Sequence, residues 1–309
     1  MRLAEPVHVL GAVNHDVQAR GNVSLQPGDS TPGAVLDSAG GVGRNLAENL
    51  ARLGLLTRLA ADVGADAIGE QLLAHTAAAG VDVQACRRLV DQRTARFVAL
   101  LDPDGELRMS VNDMAIQQAC DPGRVRDLMP WLAGAGTVLM DANLRADALE
   151  AVAQGLPNQV PLVADAVSAA KCSRLEPVLH RLELLKLDRA EAGVLTGRTC
   201  ESEAGCLAAA RELAERGVAR VLISRGAQGC VWHHAGHGEG SEPARSVAVV
   251  GTSGAGDALL AGVLAMLVRG ADLGAAVRFG QRCAALTLQI TAACHPGLAD
   301  LWNQDDDQR

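Results

Sequence analysis

Thr137-Val-Leu-Met140, Ala146–Ala153 and Val160-Pro-Leu-Val-Ala164 follow one another with short gaps: a β-prone run, a helix-patterned run and a second β-prone run. Such a triplet is the unit of a parallel sheet, because two parallel strands need a crossover long enough to hold a helix. The pattern extends both ways. Val125–Leu132 upstream reads as a helix, and downstream Leu182–Leu187 reads as a strand and Glu203–Arg216 as a helix. Arg220–Ser224 and Cys230–His233 read as strands, and Ala255–Arg269 and Leu273–Thr291 as long Ala-rich helices. The expected class is α/β with a mainly parallel sheet.

The first third is less regular. His8–Val13 is a short β-prone run ending at Asn14-His15-Asp16. Val17–Ser38 is rich in Gly, Pro, Asp and Ser and reads as short strands and turns. Arg44–Leu53 carries Leu46, Ala47, Leu50 and Leu53 at helical spacing, and Gly54 stops that helix. Leu55–Val63 reads as a strand and Ala67–Ala79 as a helix ended by Gly80. Thr94–Leu101 and Leu107–Val111 flank the turn sequence Asp102-Pro-Asp-Gly105 and read as a hairpin. The β-rich pieces near 17–38 and 94–111 cannot join a parallel sheet in order, so they are expected to form a small lid sheet. In open α/β sheets ligands sit beyond the carboxyl ends of the strands, and a lid there closes a cleft. One domain is expected over residues 1–309, with no repeat or linker and an acidic, frayed tail at Gln304–Arg309.

Composition narrows the function. Of 309 residues, 49% are hydrophobic and 21% charged, so a sizeable core is available. There is no Tyr, with two Phe and three Trp, and the formal net charge is −8. A chain so poor in aromatic platforms and basic surface is not built for nucleic acid. No segment reads as membrane-spanning, and Met1–Pro6 lacks the apolar run of a signal peptide. The eight cysteines show no C-x-x-C pair and read as reduced thiols of a cytoplasmic protein. His233, His234 and His237 lie in a Gly-rich stretch and read as solvated loop rather than a metal site.

Four loops carry chemistry. Gly251-Thr-Ser-Gly-Ala-Gly-Asp257 lies between a β-prone run, Ser246–Val250, and an apolar helix. Small residues there let the N–H groups of Gly254, Ala255 and Gly256 converge at a helix N-terminus, which suits phosphate. A carboxylate in an anion site is out of place unless it takes a proton from an attacking hydroxyl; read alone, Asp257 is equally an acidic first-turn residue that complements the helix dipole. Gly40-Gly-Val-Gly-Arg-Asn45 lets a substrate approach the backbone, with Asn45 facing a diol and Arg44 offsetting phosphate charge, or is simply a turn before a helix. Asn14-His-Asp16 ends a strand and can bind hydroxyl pairs or cap a turn. Asp188-Arg-Ala-Glu191 can hold Mg²⁺-bound water or open a helix. The two lysines, Lys171 and Lys186, exclude a G-x-x-x-x-G-K-[ST] P-loop.

Gly40–Gly64, with Gly43, Asn45, Ala47, Gly54 and Gly64 in register, resembles the first signature of the ribokinase-like (PfkB) carbohydrate kinases, and Thr252–Asp257 resembles the second. The resemblance covers essentially the whole chain. It implies a three-layer α/β/α domain with a lid, ATP and Mg²⁺, and a homodimer joined through the lid. It further implies that Asp257 activates the substrate hydroxyl while Gly254, Ala255 and Gly256 hold the transferred group, and that Asn14, Asp16, Gly41, Gly43 and Asn45 bind the sugar. Glu191 is linked to Mg²⁺ through water. Lys186, Asp188, Ser224, Gly226, Gly229 and Thr252 fall on the nucleotide side, and Arg282–Thr291 flanks the adenine. Gly251 replaces an Asp that helps many members bind a monovalent cation, so potassium dependence is not implied. Pro27–Gly33, Asn45–Gly54, Asn112–Ile116 and Ala164–Ser168 look most like the pseudouridine kinase branch, which phosphorylates a nucleoside 5′-hydroxyl. Asp29, Ser30, Asn112 and Asp113 then fall in the lid, against base or ribose. Ribose, adenosine and other sugars remain alternatives, as does a non-catalytic sugar- or nucleoside-binding protein on the same frame.

Overall fold

The computed structural model describes residues 5–301; the tail Gln304–Arg309 lies outside the described residues. In chain order the first elements are β1 (Val7–Leu10), β2 (Asn14–Gly21), β3 (Gly33–Gly40), α1 (Val42–Arg52), β4 (Thr57–Ala60), β5 (Asp62–Gly64) and α2 (Ala67–Ala78). Then come β6 (Arg87–Leu89), β7 (Ala95–Leu101), β8 (Leu107–Asp113), α3 (Pro122–Ala133), β9 (Thr137–Asp141), α4 (Ala146–Gly155), β10 (Leu162–Asp165) and β11 (Leu184–Asp188). The last are α5 (Arg189–Thr196), α6 (Glu203–Glu215), β12 (Arg220–Ser224), β13 (Cys230–His234), β14 (Gly238–Glu242), α7 (Ala255–Val268) and α8 (Leu273–Thr287).

The expected α/β sheet is present, in the order β14-β13-β12-β11-β10-β9-β1-β4. Strands β12 through β4 in that order run parallel, and β13 and β14 add an antiparallel edge. Side chains alternate across it. Val9, Leu139, Val163 and Leu184 pack under α1, α2, α7 and α8; Leu10, Met140, Ala164 and Leu185 pack on α3, α4, α5 and α6. Helix α7 is buried from Asp257 to Val268, which is why its sequence is apolar all round.

The lid is a four-stranded sheet in the order β3-β2-β7-β8. It reaches further toward the core than the sequence suggests, because Asn14–Asp16 and Ala39–Gly40 are part of its ladders. Other expectations need correcting. The run 55–63 is two strands: β4 pairs with β1, and past Ala61 the chain changes partner so that β5 pairs with β6. Ser246–Val250 forms no strand; Val249 and Val250 are exposed, and Val250 N–H donates to Leu288 O. Helix α8 stops at Thr287, freeing the following segment to pack over the Gly251 loop. His233 and His234 belong to the β13–β14 hairpin, and His237 stacks on His234 in its turn at 4.1 Å between ring centroids. All eight cysteines are free and buried.

Candidate active site

The carboxyl ends of the parallel strands form one edge, and alternation decides which side chains show there. Asp141, Asp165 and Lys186 each stand two residues beyond Leu139, Val163 and Leu184, so they share the face under α1 and α7. Asp165 is the cross-strand neighbour of both Asp141 and Lys186. Lys186 Nζ pairs with Asp165 Oδ2 at 3.1 Å. Burial works against the Lys186 ammonium, but Asp165, Glu191 and Asp257 outweigh it and hold its pKa above the ordinary lysine value. Asp141 is fully buried; its Oδ2 accepts from Ala12 N–H at 2.9 Å and its Oδ1 from Asn143 N–H at 2.8 Å. Sequence gives neither Asp141 nor Asp165 a site role, although Asp165 lies within the stretch Ala164–Ser168. Their signal is an acidic residue closing a β-prone run, which is too common to stand out unaided.

Helix α7 starts on this edge. Gly254 precedes it at φ 76°, and a Cβ there would run into the Ala293 carbonyl, so only glycine fits. The first N–H to bond back is that of Ala258, to Gly254 O at 2.8 Å. The N–H groups of Ala255, Gly256 and Asp257 therefore have no intrahelical acceptor. Lys186 Nζ lies 2.9 Å from the place a Cβ on Gly256 would occupy, so the ammonium stands beside these amides. Gly251 packs on Ile290, whose carbonyl oxygen is 2.6 Å from a Cβ built there; the aspartate common at this place has no room in this backbone. Thr252 lies in the same loop.

Asp257 sits in the first turn of α7, buried, and Asn45 Nδ2 donates to its Oδ2 at 2.7 Å. Burial and the nearby Asp165 push its pKa up to about 7, against the opposing pull of Lys186 and the Asn45 hydrogen bond. A carboxylate with that pKa is well matched to general-base work near neutrality. Asn45 is delivered by the turn into α1, where Gly41 at φ 99° presses on Ala12 and Gly43 on Gly11, close approaches that leave no space for side chains. Arg44, read from sequence as a candidate to offset phosphate charge, is instead buried and paired with Glu48.

Asn14 donates to Asp16 within β2, and burial raises the Asp16 pKa to about 6 despite Asn14 and Arg44. Asp16 packs against Gly40, in the row Ser38–Asp16–Phe97–Asn112 across the lid. Asn112 thus shares a lid face with Asp16. Asp113, one residue on, projects from the other face, and its Oδ1 accepts from Ala115 N–H at 3.4 Å. Asp29 and Ser30 are not brought to this cluster. Asp29 lines a lid cavity of about 750 Å³ with Val35, Leu100 and Met109, on the face opposite Asp16.

Asp188 and Glu191 form a capping box on α5: Glu191 N–H donates to Asp188 Oδ1 at 2.8 Å, and Asp188 N–H to Glu191 Oε2 at 2.6 Å. Burial lifts the Glu191 pKa to about 7, with Lys186 opposing. Asp188, Ser224 and Gly226 line a cleft of about 550 Å³ beside this edge. Gly229 is not in its wall; it makes the tight turn into β13 at φ 85°. Among the described residues, the carboxylates near enough to share a bare ion in a group of three are Asp102, Asp104 and Glu106 in the lid turn. There Asp102 is already tied to Leu25 and Arg108. A divalent ion at Glu191 therefore fits only with water and phosphate completing its shell, as Mg²⁺ commonly has.

The profile of the pfkB family carbohydrate kinases matches residues 5–299. The chain belongs to that family. This pfkB-family kinase is 32% identical over 299 residues to the pseudouridine kinase of Escherichia coli, covering 97% of this chain and 95% of that one. It is 25% identical to the guanosine-inosine kinase of Exiguobacterium acetylicum, over 94% and 96% of the two chains. A carbohydrate kinase from Agrobacterium tumefaciens superposes with a TM-score of 0.85 at 31% identity, covering 97% and 96%. A ribokinase of Arabidopsis thaliana, solved with ribose and ATP, superposes at 0.86 with 23% identity, covering 97% and 99%, which shows the ribokinase-like fold. As a pfkB-family kinase the protein is a phosphotransferase with an alcohol group as acceptor.

Proposed function

We propose that this kinase transfers the γ-phosphoryl group of ATP to the 5′-hydroxyl of a nucleoside, pseudouridine first among them. The observation that carries the chemistry is Asp257: a carboxylate with a near-neutral pKa, aimed by Asn45, beside the unpartnered N–H groups that open α7. Asp257 takes the proton of the attacking hydroxyl. The amides of Ala255 and Gly256, with the Lys186 ammonium, stabilise negative charge on the group in flight. Glu191 would hold Mg²⁺ through water, and the ion would supply neutralisation of phosphate charge. Asp188, Ser224, Gly226 and Thr252 belong to the donor side, and Asn14, Asp16, Gly41, Gly43 and Asn45 to the acceptor side.

The choice of pseudouridine rests on the relative 32% identical across nearly both whole chains. Asn112 lies on the Asp16 face of the lid, which supports assigning it to the base of the acceptor. The lids of two copies pair, because Val35, Met109 and Val111 leave an exposed apolar stripe on the other face of the sheet. Eight free thiols suit a reducing cytoplasm.

Consumption of ATP across pseudouridine, uridine, guanosine, adenosine and ribose tests the substrate. Pseudouridine is expected to give the highest kcat/KM; a higher value for ribose or a purine nucleoside replaces the substrate, and no turnover with any acceptor removes the kinase reading for this chain. Asp257→Asn is expected to lower kcat by roughly 10²–10⁴-fold with ATP binding kept. Near-normal turnover in that variant removes Asp257 as the base.

A further inference from the structure

Asn45 meets Asp257 through the nitrogen of its amide. An amide has two nearly isosteric ends, one that only donates and one that only accepts. Which end faces the carboxylate is settled by what grips the other. Here Arg44 Nη2 donates to Asn45 Oδ1. A guanidinium has no acceptor, so Asn45 keeps its oxygen toward Arg44 and its nitrogen toward Asp257. The reverse orientation sets donor on donor at one end and oxygen on carboxylate at the other.

We propose that Arg44 is a positioning residue for phosphoryl transfer: it locks the Asn45 amide, and through it the Asp257 carboxylate, while gripping the end of lid strand β3. This rests on the reading of Asp257 as the base. The remaining donors of Arg44 carry the second half. Nε donates to Gly40 O at 3.1 Å and Nη2 to Ala39 O at 3.0 Å, the last two carbonyls of β3. Nη2 also reaches Cys294 Sγ at 3.6 Å, in the segment that backs Gly254. One buried cation thus touches the lid, the amide that aims the base, and the strap behind the anion site.

A buried guanidinium needs a counter-charge, and α1 supplies it one turn on. Glu48 is 1% exposed and takes Arg44 on Oε2. Its Oε1 accepts from Arg52 Nε at 2.9 Å and Nη2 at 2.7 Å, a further turn along, and His75 Nε2 stands 3.5 Å from Oε2. Arg44, Glu48 and Arg52 are therefore a ladder at four-residue spacing whose inner end meets the catalytic amide.

The test is a double-mutant cycle of Arg44→Met, Asn45→Ala and the pair, with Asp257→Asn alongside. The donor is MgATP, and the acceptor is whichever of pseudouridine, guanosine and ribose the wild-type chain phosphorylates fastest. Arg44→Met is expected to lower kcat on the order of 10²-fold and to leave KM for MgATP within about threefold. In the Asn45→Ala background the same change is expected to cost less than about threefold, because the two act as one unit. The acid limb of the kcat–pH profile is expected to move to higher pH in Arg44→Met. The other groups facing Asp257 are Asp141 from β9, Asp165 from β10, Lys186 from β11 and Cys294 from the strap, and of these Cys294 alone also touches Arg44. Arg44→Lys, which keeps charge and one donor, is expected to recover at least about tenfold of the lost kcat, and it supplies the same readouts where the Met variant is not recovered folded. Additive effects in the cycle, or an unmoved acid limb, overturn the proposal. An active Asp257→Asn overturns the base itself; an inactive one together with an Arg44→Met of normal kcat overturns the positioning role alone.

Discussion

Asp257 has to satisfy two opposed demands. Burial and Asp165 raise its pKa to about 7, far above its ordinary 3.8, yet catalysis needs the ionised form. kcat is therefore expected to rise with pH through about 7 and level off above it, and a pH–rate profile checks this. The stability effect has the opposite sign. Because the folded pKa exceeds the unfolded one, the unfolded chain loses this proton first, so the contribution of Asp257 to stability falls between about pH 4 and pH 7. Asp257→Asn removes that cost; by calorimetry its Tm is expected to exceed wild type by about 2 °C or more at pH 8, with the gap closing as pH falls toward 4. Gly254 is a second residue-scale constraint. Gly254→Ala forces a side chain into the left-handed region and into the Ala293 carbonyl. A displaced anion site is expected to cost at least about tenfold in kcat, measured at saturating substrates.

At the scale of elements, the turns at strand ends determine which groups meet. The capping box couples helix start and site: Asp188 fixes Glu191, whose burial raises its pKa and places it beside Lys186. Asp188→Ala is expected to cost about 1 kcal/mol of stability by denaturant unfolding. Because Glu191 loses its tether, the same variant is expected to need more Mg²⁺ for half-maximal rate. Much of this level was legible: Ala146–Ala153 lies on α4 and Glu203–Arg216 matches α6 to within one residue, since apolar periodicity records burial directly. What was not legible depends on distant partners. Nothing local in 55–63 says that the chain leaves β1 for β6, and nothing in Leu288–Thr291 says that α8 must stop so that its continuation can cover Gly251 and Gly254.

For the molecule as a whole, the proposed pairing of two lids makes a prediction about mass. Light scattering at micromolar concentration is expected to give about twice the 32.0 kDa chain mass. Met109→Lys with Val111→Lys is expected to return the mass to that of one chain. Sequence by itself determined the class of fold, since alternating strand and helix patterns admit few layer arrangements. It also determined the two loops at Gly40–Asn45 and Gly251–Asp257, because close backbone approach and helix-end amides demand glycines at set spacings. Only the tertiary structure decided that Asn45 meets Asp257, that Arg44 turns to Glu48, and that Asp141, Asp165 and Lys186 form one row. It also separated Asn112 from Asp113 and set Asp29 on the far side of the lid. Side-chain meetings across hundreds of residues follow from strand register and helix docking, and neither is written in any local window of sequence.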